Sequence, residues 1–167
     1  MGFFDKAKGF FGGKGMADVS ITVIERQSAE NATFPVTDSV LKGTMVIDVK
    51  KDCTLLATKY EIWLDTDEGE DGTVDLVASD ADPDPNTSYS DECLKMPCDL
   101  KEGQQITQTW MVMDVELAKY LDKAGIEDPN AAVGKSGVKL RVKCIADVKG
   151  SPFDPCAEVD VRLVAGE

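Results

Sequence analysis

From residue 16 onward this sequence predicts a mostly β fold, an antiparallel β-sandwich with one short helix, and three observations carry that reading. Seven segments alternate apolar and polar side chains with period two, the pattern of strands with one buried and one wet face. Polar turn segments separate them at the spacing of a two-sheet domain. One short segment between them has helical spacing. With 167 residues and 43% apolar content, the chain has room for one such domain with a real core.

Residues 1–15, MGFFDKAKGFFGGKG, stand apart from this pattern. Phe3, Phe4, Ala7, Phe10 and Phe11 share one helical face, with Asp5, Lys6 and Lys8 on the other side. Gly12, Gly13 and Gly15 break the helix and form a flexible joint. The chain therefore divides into an amphipathic Phe-rich segment, 1–15, and a single sandwich domain, 16–167.

The strands follow in order. Val19, Ile21 and Val23 alternate with Ser20 and Thr22, and residues 27–38 are polar and turn-like. Met45, Ile47 and Val49 alternate with Thr44 and Asp48, and Leu56, Tyr60, Ile62 and Leu64 with Lys59, Glu61 and Asp65. The acidic turn 67–72 joins this strand to Val74, Leu76 and Ala78 as a hairpin. Residues 80–104 read as a long Asp/Pro/Asn/Ser loop. Ile106, Trp110 and Val112 resume the strand pattern, with Trp110 at a core position. Asp114 is placed to cap a helix carrying Leu117, Tyr120 and Leu121 on one face and Gly125 at its end. After a polar loop, 126–137, Val138, Leu140, Val142, Cys144, Ala146 and Val148 point one way. Lys139, Arg141, Lys143, Asp147 and Lys149 point the other. Ala157, Val159, Val161 and Leu163 alternate with Glu158, Asp160 and Arg162.

The pieces VSITVIE, VLKGTMVIDVKK, LLATKYEIWL and VKLRVKCIADVKGSPFDPCAEVDVRLV, in this order, resemble the N-terminal half of arrestin-like proteins. Gly43-Thr44-Met45-Val46 matches their G-x-V-like strand, which that fold follows with a long strand crossing the sandwich. The opening MGFFDKAKG, with Ala146-Asp147-Val148 and Asp154-Pro155, is similar to bacterial sporulation-control proteins of the arrestin-like type. Those proteins usually carry two sandwiches, and this chain has room for one. The resemblance implies an arrestin-like, immunoglobulin-like sandwich acting as an adaptor or regulator by protein contact, and it supplies no catalytic residues.

Charge and composition narrow the function. A net charge of −13 repels nucleic-acid phosphates, and no basic stripe exists to bind them. Residues 65–102 hold 13 acids and 2 lysines, so most of the imbalance sits in one stretch. The chain has no histidine, hence no Ser-His-Asp or Cys-His pair, and it lacks G-x-S-x-G, phosphate-cradling and dinucleotide motifs. It reads as a non-enzyme with no cofactor. Five cysteines (Cys53, Cys93, Cys98, Cys144, Cys156) without a secretory signal predict free thiols and a cytoplasmic location, with membrane contact peripheral at most. Cys93 and Cys98 could pair in a loop, or join Cys53 or Cys144 around zinc, but no second close-spaced pair supports a metal set. Asp80, Asp82 and Asp84 match the first positions of a calcium loop, yet Pro85 stands where a sharply turning glycine is needed. They read as solvated acids.

Three interaction features remain. Phe3, Phe4, Phe10 and Phe11 suit docking to a protein partner, another copy, a membrane surface or the domain itself. Lys139, Arg141 and Lys143 form a basic strand face, read as cross-strand charge pairing, with the acidic stretch 65–102 as a further candidate to lie across it. Trp63, opposite in parity to Tyr60 and Ile62, is either packed at a sheet edge or a contact anchor. The leading expectation is an interaction domain that docks through its Phe-rich segment. The alternatives are a structural subunit of a homo-oligomeric or filamentous assembly, and a calcium-dependent membrane-binding sandwich. Light scattering on a sizing column separates the first two: an assembly arm makes the full chain large and a version lacking residues 1–15 a monomer, whereas an adaptor is a monomer in both forms.

Overall fold

A computed structural model describes residues 16–22, 32–66, 74–78, 96–112 and 115–166. Among these residues nine strands form two sheets. They are β1 (Ala17–Thr22), β2 (Thr33–Pro35), β3 (Leu41–Val49), β4 (Cys53–Asp65), β5 (Val74–Ala78), β6 (Cys98–Leu100), β7 (Gln105–Val112), β8 (Lys139–Val148) and β9 (Cys156–Val164). One sheet has the order β1-β3-β7; the other runs β2-β9-β8-β4-β5, with β6 also on β4. The pairings are antiparallel except β2 with β9, which is parallel. The mostly antiparallel β-sandwich expected from the sequence is the fold observed.

Period two decides which side chains enter the core. Leu41, Met45, Ile47 and Val49 of β3 face Tyr60, Ile62 and Leu64 of β4 and the even-numbered side chains Leu140–Val148 of β8, all buried. The sheets meet at Trp110, fully buried on β7, whose ring lies 5.7 Å from that of Tyr60 on β4 at a tilt of 35°. The indole also lies over Gly43, its direct neighbour on β3. A Cβ at position 43 would clash with the Trp110 ring, and a fully buried indole has nowhere to retreat. The glycine of the G-x-V-like pattern is thus a packing requirement.

Several expectations need correction. Residues 27–38 include a strand, β2, whose Phe34 is buried, and the long loop 80–104 ends in another, β6, with Leu100 buried. Each is only three residues long, too short to show a period. A bulge between Leu55 and Ala57 reverses parity, so Leu55 is buried and Leu56 exposed. β4 does not cross the sandwich: from Cys53 to Asp65 it stays in the larger sheet. The helix spans Leu117–Lys123 (α1) with Glu116 at its N-cap and no side-chain cap, while Asp114 lies outside the described residues. Leu117 and Leu121 are buried as expected, Tyr120 is half-buried, and Gly125 takes φ 78° beyond the helix end.

The hairpin expected around the acidic turn is present as β4 paired with β5, Leu64 opposite Val74; its turn lies outside the described residues. Gly43→Ala is expected to cost about 3 kcal/mol, as overpacking of a closed core does. Adding Trp110→Leu should return part of that loss, a coupling read from urea unfolding of the four proteins of a double-mutant cycle. An additive result would show the indole free to move away from position 43.

Candidate functional site

The outer face of the larger sheet is built by three adjacent strands. Register sets Trp63 (β4), Arg141 (β8) and Asp160 (β9) side by side; Glu61, Lys143 and Glu158 form the next row, and Asp65, Lys139 and Arg162 the row beyond. Since the partner face of each strand is buried, these side chains point to solvent together.

Arg141 is the centre. Its Nη2 donates to Glu158 Oε2 at 2.9 Å, its Nε lies 3.2 Å from Asp160 Oδ1, and its Nη1 lies 3.7 Å from Asp65 Oδ2. The Nε contact is an ion pair without hydrogen-bond geometry. The guanidinium carbon sits 5.3 Å from the centre of the Trp63 ring, within cation–π range. Lys139 Nζ donates to Asp160 Oδ2 at 2.6 Å, and Lys143 Nζ lies 3.8 Å from Glu61 Oε2. Lys59 and Asp147 extend the ladder with a 3.2 Å pair.

The expected cross-strand charge pairing is therefore what the face contains. Of the acidic stretch 65–102, Asp65 joins it, while Glu61, Glu158 and Asp160 come from outside that stretch. The strands next to β8 in the sheet, β4 and β9, supply the partners, so sheet order outranks charge density in the sequence. Lys149 falls beyond the end of β8, in the turn to β9, and is not part of the ladder. Trp63 is half-buried beneath Arg141, which resolves its two readings into a partly covered surface residue. Sequence reasoning missed Glu158 and Asp160 as partners. Their alternation on β9 carried the signal, but only the β8–β9 register names whom they meet.

Phe3, Phe4, Phe10, Phe11, Asp80, Asp82 and Asp84 lie outside the described residues. Cys53, Cys144 and Cys156 are free thiols. Cys144 is in the core, where burial pushes its thiol up. Burial also raises Cys53 and Cys156, more moderately. Cys98 Sγ contacts Met96 Sδ at 3.9 Å. Among the described residues no group of three or more carboxylates and thiols is close enough to hold a metal ion, and no helix is long and apolar enough to cross a membrane.

A half-exposed ladder contributes little to folding, because solvent screens each pair and ordering long side chains has an entropic cost. Arg141→Ala is therefore expected to change stability by only about 1 kcal/mol. It should also move the fluorescence of Trp63, the more exposed of the two tryptophans, to longer wavelength. A loss of several kcal/mol in thermal unfolding would show the network to be a folding element and not a surface feature.

No family model and no curated protein matches the chain. Among solved structures it is similar to the crystal structure of Spo0M, sporulation control protein, from Bacillus subtilis, with a TM-score of 0.50 and 10% sequence identity. The similarity covers 91% of this chain and 51% of that one, so this chain spans about half of that protein's length. At this identity the likeness is one of fold, and the fold it supports is the two-sheet sandwich described above.

Proposed function

We propose that this chain is a non-enzymatic interaction domain, an adaptor or regulator that works by protein contact. The observation that carries the reading is the Arg141–Trp63 pair at the centre of the charged sheet face. Arginine and tryptophan are the residue types that dominate binding energy at protein interfaces. Here they are stacked and ringed by four carboxylates and two lysines that hold them in place. A partner that covers the pair would exclude water from an already ordered surface, so little side-chain entropy is lost on binding. The charged rim would select partners by sign and spacing.

The fold neighbour is a sporulation control protein, which supports a regulatory role in kind. The Phe-rich segment 1–15 enters this reading as a second contact, since its apolar side chains suit a groove in a partner or a membrane surface.

The test is proximity labelling in the source cells with the labelling enzyme fused to the full chain. The native protein is expected to mark a defined set of neighbours, and the Trp63→Ala/Arg141→Ala double variant to lose them at nearly unchanged melting temperature. The same neighbours with both proteins would remove the sheet face from the reading.

A further inference from the structure

We propose that two copies of this chain pair edge to edge through β7, with Gln108 at the two-fold axis, joining their smaller sheets into one. This edge is a different surface from the charged sheet face, and the inference does not rest on the reading of that face.

The order β1-β3-β7 leaves β7 at a sheet edge, and among the described residues nothing pairs with its outer side. Backbone bonds show which groups face that side. The Gly103 amide donates to the Val49 carbonyl at 2.8 Å, and the Val49 amide to the Gln104 carbonyl at 2.9 Å. Val49 is thus a bonded position, and along an antiparallel pair bonded and non-bonded positions alternate. Ile106, Gln108, Trp110 and Val112 therefore bond to β3, while the N–H and C=O groups of Gln105, Thr107, Thr109 and Met111 point to the open side.

Open edges are normally protected by charge, proline, brevity or a bulge. The other edges follow this rule. β2 has three residues and ends in Pro35, β6 has three and includes Asp99, β1 carries Asp18 and β5 carries Asp75. β7 has eight residues with no charge and no proline, in a chain that is 29% charged, and its register with β3 has no shift. An edge of this kind is a template for a further strand.

Gln108 identifies that strand as a second β7. It shares the inward side of β7 with Ile106 and Trp110 and is only 5% exposed, and its side-chain amide has no hydrogen bond to another described residue. A buried amide without a partner costs stability. A carboxamide both donates and accepts, so another carboxamide complements it. Antiparallel pairing of two β7 strands about Gln108 sets Thr107 opposite Thr109 and Gln105 opposite Met111, so the open backbone groups of both copies meet. The same register sets the two Gln108 residues against each other as a non-bonded pair, where side chains on one face come closest. No like charges oppose one another between the two strands. A strand of unrelated sequence would satisfy the backbone groups and leave the buried amides without this match.

The test is light scattering on a sizing column over a concentration series of the full chain. The mass is expected to rise from 18.0 kDa toward twice that value, and equally so in a version lacking residues 1–15. Thr107→Pro removes an amide that bonds nothing within one copy. It should leave the melting temperature of dilute protein unchanged and raise the dimer dissociation constant about thirtyfold, the loss of two backbone bonds. Gln108→Cys tests the register independently. A non-bonded antiparallel pair holds its Cα atoms about 4.5 Å apart, within the span of a disulfide, so mild oxidation should link this variant as a dimer well beyond any linkage of the native chain. A chain that stays monomeric at every concentration overturns the inference. So does a dimer that is lost with residues 1–15 or left intact by Thr107→Pro, or a Gln108→Cys variant linked no more than the native chain. A monomeric chain whose proximity-labelled neighbours are lost in Thr107→Pro would assign the edge to another protein and also overturn it.

Discussion

The indole of Trp110 holds the two sheets in their observed relation. It covers Gly43 on the strand beside it and meets Tyr60 across the sandwich, so one side chain fixes both the β3–β7 approach and the distance between layers. Cores are close-packed, and a ring of this size leaves no room for adjustment around it. The inward residues of β3, β4 and β8 are arranged around this contact. Everything on the outside inherits its position from that packing, because strand period two makes each buried residue dictate the direction of its neighbours.

The outer face of the larger sheet shows what such inheritance yields. Arg141 faces out because Leu140 and Val142 face in, and it meets Glu158, Asp160 and Asp65 because β9 and β4 are the strands next to β8. Three carboxylates and an indole then hold one guanidinium, whose planar fork accepts several partners at once. On a solvated surface this adds little stability. Its consequence is order: long side chains that would otherwise sample many rotamers are held together at the sheet centre.

The sequence by itself determined the fold class, the inward residues of β3, β8 and β9, the core position of Trp110, and the opposite side of β8 as a charged face. Each is a local property, since alternation needs no knowledge of partners. Tertiary structure alone decided the rest. The short strands β2 and β6 exist because β9 and β4 offer them edges, and the bulge that turns Leu56 outward appears only in the pairing with β8. The identity of Arg141's partners, and the place of β7 at a sheet edge, depend on strand order and register. Those are set by which packed arrangement buries the most side chains at once, a sum over the whole chain that no single segment contains.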